Sequence, residues 1–165
     1  MVRAEWAIFE EDFWAITNAL ETLVRSAESK HVLLIDRTGQ LIAQSGQEPT
    51  FDITSFASLC AADFEANFAL AKLIGEEDFS TLVHQGATDS MYLAKIARGV
   101  VLAVVFDKST TLGLVRLRVK KTIEELNDVI EGLYGKLKYR NEEYDQFDEE
   151  FSEGVEAEID NLFVD

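Results

Sequence analysis

Apolar positions recur along the chain with two different periods, and the changes of period divide it into elements. Phe9, Phe13, Ile16, Leu20, Leu23 and Ala27 stand three and four residues apart, with Glu10, Glu11, Asp12, Glu21 and Arg25 between them. That spacing predicts an amphipathic first helix. His31–Asp36 is aliphatic, Arg37-Thr-Gly-Gln can turn because Gly39 tolerates a positive φ, and Leu41–Ser45 resumes an extended pattern, so a β-hairpin follows. After Pro49, the Asp52 carboxylate can cap the free N–H groups of a second helix that runs to about Gly75. Phe79–Gln85, Ser90–Ala97 and Val100–Asp107 read as three strands, the last apolar on both faces and therefore central.

Ser109 is placed to cap a third helix, along which Leu112, Val115, Val119, Ile123, Leu126, Ile130, Leu133 and Leu137 form a stripe. Gly132 and Gly135 weaken it, and Glu142–Glu153 is acidic without a helical apolar stripe. Ile159, Leu162 and Phe163 then return to helical spacing. The order is helix, two strands, helix, three strands, helix. Short turns within each group make its strands antiparallel neighbours, so the expected fold is an α/β sandwich, a five-stranded antiparallel sheet with helices on its faces. The expected division is a domain over 1–137, a flexible acidic linker over 138–157 and a partner-binding helix over 158–165.

Composition narrows the partners. A chain of 165 residues that is 47% hydrophobic buries a core. Its net charge is −16, and from residue 138 onward eleven acidic residues face only Lys138 and Arg140. Such acidity disfavours nucleic acid and anionic membranes, both of which need cations to displace counterions. No apolar run approaches the roughly 20 residues that span a bilayer, so membrane insertion is not expected. A single cysteine, Cys60, and no cationic-then-apolar leader imply a cytoplasmic protein.

Catalytic chemistry finds little support. His31 and His84, the only histidines, fall at or in strands without an adjacent nucleophile, and Cys60 lies among Ala57, Leu59 and Ala61 as a buried thiol would. There is no zinc spacing, calcium loop or phosphate-binding glycine loop, so no cofactor or metal is expected and no catalytic residue is assigned. Arg37 and Arg98 stand at turns from which an arginine could be donated in trans to a GTPase, but nothing local orients either one, and ordinary turn cations are expected.

Helix two is the unusual element. At 100° per residue, Leu59, Ala62, Ala66, Leu70 and Leu73 make one apolar face, while Ala57, Ala61, Phe64, Phe68 and Ala71 make another. A helix lying on a sheet needs one such face. The second implies cover by another helix of the chain, a second subunit or a different protein, and a chain of this size favours the last two. Phe79–Gln85 also has the character of a sheet edge able to pair with its symmetry mate, which points to a homodimer. At the C-terminus, Ile159, Leu162 and Phe163 follow a charged spacer as docking helices do.

Five stretches resemble the roadblock family, which is related to dynein light chains: Leu33–Gln47, Ser55-Phe-Ala-Ser-Leu, Leu70-Ala-Lys-Leu-Ile-Gly-Glu, Gly86-Ala-Thr-Asp-Ser-Met-Tyr and the run from Phe106 through Lys121. Glu158-Ile-Asp-Asn-Leu-Phe is similar to the end of the bacterial members that act on MglA-type Ras-like GTPases. The resemblance implies a roadblock-type αββαβββα fold whose sheet continues across a homodimer. It also implies that paired second helices face the switch regions of one GTP-bound GTPase and accelerate hydrolysis by repositioning the GTPase's own residues. On that basis Ala61, Phe64, Glu65, Phe68 and Ala69 are the helix-two contacts, and Ile159, Leu162 and Phe163 form a second contact that assists nucleotide exchange. Cell polarity or gliding motility, at a cell pole, is the implied setting. A scaffold that recruits the GTPase without altering its hydrolysis is the alternative. At Glu65 and Phe68 the sequence departs from the small residues that the family presents to the GTPase, changing both charge and bulk.

Overall fold

A computed structural model describes residues 10–162, with side chains through residue 142. Phe9 and Phe163, both assigned above to helical stripes, lie outside the described residues. The chain divides into two compact units, Met1–Glu131 and Gly132–Asp165.

The first unit follows the predicted order. Helix α1 spans Glu10–Ala27, strands β1 and β2 span His31–Ile35 and Leu41–Gly46, and helix α2 spans Ile53–Leu73. Strands β3 (Thr81–Gln85), β4 (Ser90–Lys95) and β5 (Val101–Phe106) follow, then helix α3 from Leu112. The strands form one antiparallel sheet in the order β2-β1-β5-β4-β3. The β1–β5 pairing puts Leu33 opposite Ala103 and Ile35 opposite Val101 on one face, and Val32 opposite Val104 and Leu34 opposite Leu102 on the other. All six β5 residues are buried, as expected of a central strand covered on both sides.

Helix α2 covers the first face: its Ala57, Cys60, Ala61 and Phe64 pack with Leu33, Ile35, Leu93, Val101 and Ala103. The opposite face is left to α1, which buries Ile16, Leu20 and Leu23, and to α3, which buries Val115, Val119, Leu126 and Ile130. The β1–β2 turn is built around the buried Asp36, whose Oδ1 accepts from Thr38 N at 2.8 Å, Thr38 Oγ1 at 2.6 Å and Gln40 N at 3.0 Å. Gly39, at φ 87°, brings the turn so close to α2 that an added Cβ would stand 2.9 Å from Ser58 Cα. Only glycine suits both the dihedral and the contact.

Two features of α3 differ from expectation. Its first turn is capped by Thr111, whose Oγ1 accepts from Leu114 N at 3.2 Å, because Ser109 lies in the turn before the helix, where Ser109 N donates to Asp107 Oδ1 at 2.8 Å and Thr110 N to Asp107 O at 3.4 Å. The helix also does not stop near Leu137 but runs unbroken to Leu162, so the stretch 138–157 is helical in backbone where a linker was expected. The reason lies in local propensity. The stretch lacks proline and holds six Glu, a good helix former, and the Lys138–Glu142 pair at 3.8 Å supports its first turn without an apolar stripe.

Candidate functional site

Helix α2 is the element with a surface to spare. Asp52 opens it: Oδ1 accepts from Thr54 N at 3.2 Å, and the hydroxyl of Ser55 donates to Oδ2. The Ser55 hydrogen bond, followed by those of the backbone N–H groups, holds the Asp52 carboxyl below the usual carboxylate range. At the other end the N–H groups of Ile74 and Gly75 donate to Ala71 O and Lys72 O, and Gly75 takes φ 84°.

Between these caps the two apolar faces separate. Ala57, Cys60, Ala61, Phe64 and Ala71 are buried. Leu59, Ala62, Ala66, Leu70 and Leu73 are exposed, Leu59 at 69%, Leu70 at 54% and Leu73 at 83%. No other part of the described chain covers this second face. Cys60, pointing inward, has its thiol pushed up to about 12, first by burial and second by the nearby Asp63 carboxylate. Ellman's reagent at pH 8 should therefore leave the native thiol essentially unmodified over minutes and titrate one thiol per chain in 6 M guanidinium; rapid native labelling would contradict the placement.

The five residues assigned to α2 as partner contacts do not share one surface. Ala61 and Phe64 are in the core, each 8% exposed, which removes both from any contact surface of the folded chain. Glu65 and Ala69 are exposed, and Phe68 is 41% exposed although it stands near the meridian of Phe64, with the Lys72 ammonium 5.2 Å from its ring centroid. Leu59, Leu70, Leu73 and Ile74, absent from that assignment, carry the largest exposed apolar area on the helix. The i, i+3, i+4 spacing marked all but Ile74, which is the C-cap residue beyond the last turn.

Beside α2 lies the sheet edge. Strand β3 pairs only with β4, and its residues are exposed or half-buried along their length. His84 ties this edge to the helix, with Nε2 2.6 Å from Asp63 Oδ2, while Asn67 Nδ2 donates to Asp63 Oδ1 at 3.1 Å. Asp63 thus fixes His84 and the neighbouring turn of the helix together. His31 is buried at the far end of β1, with Nδ1 3.0 Å from Gln47 O and its ring edge-on to Phe51. Of the two turn arginines, Arg98 is engaged with Glu131 at 2.9 Å, and Arg37 lines the approach to Gly99. Ile159 and Leu162 fall within the helical backbone of α3.

Among the described residues no group of His, Cys, Asp or Glu could hold a metal ion, and no helix is long and apolar enough to cross a membrane. The domain is an α/β sandwich whose helix α2 leaves one apolar face uncovered beside an open sheet edge.

The Roadblock/LC7 domain family matches residues 16–106, and the chain belongs to that family. Within it, the chain is similar to Myxococcus xanthus MglB, with 46% identity over 76% of this chain and 95% of that one, and a TM-score of 0.72. A gliding protein MglB from Thermus thermophilus is 31% identical over the same shares, with a TM-score of 0.71. A third structure, of MglB in a tetrameric arrangement, is also 31% identical, with 76% of this chain and 95% of that one covered and a TM-score of 0.72.

Proposed function

We propose that the chain is a homodimeric regulator of an MglA-type Ras-like GTPase, in cell polarity or gliding motility, that accelerates GTP hydrolysis. The observation that carries this reading is the second apolar face of α2, uncovered by its own chain and adjacent to the exposed edge β3. Pairing β3 with its copy would continue the sheet and bring two α2 helices side by side. The doubled surface so formed would present Leu59, Leu70 and Leu73 together with Glu65, Phe68 and Ala69 to a partner. MglB-like proteins with 31–46% identity support the regulator class.

Arg98 is engaged by Glu131, and acceleration is read, as the family resemblance implies, as repositioning of the GTPase's own groups, which orders them for attack instead of adding a charge. Glu65 and Phe68 ask for a switch surface with a cation and room for a ring. Ile159, Leu162 and Phe163 supply the second contact, which assists nucleotide exchange. A chain ending at Leu137 should keep its fold and its dimer yet lose that contact. In size exclusion with the GTPase the truncated dimer should still co-elute with the GTP-bound form, while exchange of a fluorescent GDP analogue should no longer be stimulated. Unchanged exchange would remove the C-terminal residues from this role.

A further inference from the structure

The N-terminal part of α3 carries a cluster of cations that the fold itself does not use. Residues 108–123 hold five Lys or Arg and no acid, in a chain of net charge −16. Lys108, Arg116, Arg118, Lys120 and Lys121 are all exposed, and none of them forms an ion pair among the described residues. Arg116 and Lys120 stand four residues apart and Arg118 and Lys121 three, spacings at which like charges on a helix repel. In their midst Leu117 is 62% exposed. At 100° per residue it stands opposite the buried Val115, Val119 and Leu126, with Arg116 and Lys120 to one side of it and Arg118 and Lys121 to the other.

We propose that this face of α3 docks a short acidic segment of another protein, with an aliphatic side chain of that segment seated on Leu117 and its carboxylates reaching the cations on both sides. Charge complementarity sets the sign of the occupant, because only an anion relieves the repulsion among four unpaired cations. Leu117 sets its second property, an apolar side chain between the acids. The footprint sets its length. Arg116–Lys121 covers about 8 Å of helix axis, and the next turns present Glu124, Glu125 and Asp128, all exposed, of which Glu124 and Asp128 share the meridian of Leu117. A nucleic-acid duplex or an anionic bilayer extends well past that length and would bring its phosphates against these carboxylates. A short peptide crossing the helix axis avoids them.

Helix α2 packs on the sheet through Ala57, Cys60, Ala61 and Phe64, on the face away from α3, so the docking leaves the uncovered face of α2 free. It does not depend on the proposed GTPase function.

The test is fluorescence anisotropy with the full chain and a labelled synthetic peptide of glutamates around a central leucine. The same peptide with serine in place of leucine, a single-stranded oligonucleotide and phosphatidylglycerol vesicles serve as competing probes. The leucine peptide should bind at least tenfold more tightly than the serine peptide and more tightly than the oligonucleotide or the vesicles, and its binding should weaken in high salt. K120E and K121E together should weaken it at least tenfold, and L117S should bring the leucine peptide down to the affinity of the serine peptide, with the melting curve of each variant unchanged. Equal binding of the two peptides, or binding indifferent to K120E and K121E, would overturn the proposal. So would tighter binding of the oligonucleotide or the vesicles, which would make the patch a general polyanion site, and so would no binding of the leucine peptide at millimolar concentration.

Discussion

Leu70→Asp should weaken binding of the GTP-bound GTPase by about 30- to 100-fold, corresponding to roughly 2–3 kcal/mol of interface energy. Leu70 sits mid-row on the uncovered face of α2, 54% exposed, where a carboxylate costs the isolated chain little. In a complex it would be desolvated against an apolar contact, and that penalty falls wholly on binding. The same substitution should leave the melting temperature within a few degrees of wild type. Titration by fluorescence anisotropy, with the melting curve measured alongside, separates the two effects. An unaltered affinity would remove the outer face of α2 from the interface, and a collapsed melting temperature would mean that the face is part of the core.

Leu102→Ala should destabilise the folded chain by about 2–5 kcal/mol, the range for a large apolar side chain deleted from a closed core. Leu102 is wholly buried in the central strand, opposite Leu34 on one side and Ala94 on the other, and no solvent can enter to fill the space it leaves. Leu73→Ala deletes the same atoms from a position 83% exposed and should change stability by less than about 0.5 kcal/mol. Urea denaturation of both variants checks the contrast. Comparable losses would imply that the face of α2 carrying Leu73 is already covered in the free protein and closed to a partner.

The folded unit was largely legible because its signals are local. The hairpin turn needs a glycine where Gly39 stands, the run Val101–Phe106 is apolar at every position, and Asp52 precedes its helix as a cap should. The cap of α3 was misplaced by two residues because Ser109 and Thr111 are chemically equivalent candidates, and the choice is made by Asp107, which takes the Ser109 N–H. The extent of α3 was hidden for a different reason. Apolar periodicity detects helices that pack, and beyond Leu137 the helix rests on the intrinsic propensity of its residues, which leaves no stripe.

The candidate surface was half legible. Periodicity divided α2 into two apolar faces, but it carries no label for which one meets the sheet. Ala61 and Phe64 were therefore assigned to a partner when Leu33, Ile35 and Leu93 already occupy that side. The small residues Ala57, Cys60 and Ala61 offered a clue, since a helix lies closely on a sheet where its side chains are short. Phe68 shows why angle alone is insufficient: it stands near the buried meridian yet is 41% exposed, because its own sheet does not cover that part of α2.

The central claim is that the exposed α2 face serves to accelerate hydrolysis on a partner. Single-turnover hydrolysis of GTP by the cognate MglA-type GTPase, with saturating full-length protein and again with the L70D variant, tests it most directly. The account predicts at least a tenfold faster rate with the wild-type chain, about 1.4 kcal/mol off the barrier, and little or no acceleration with the variant at the same concentration. A GTPase that co-elutes with the wild-type chain yet hydrolyses GTP at its unassisted rate would contradict the claim and leave a scaffold in its place.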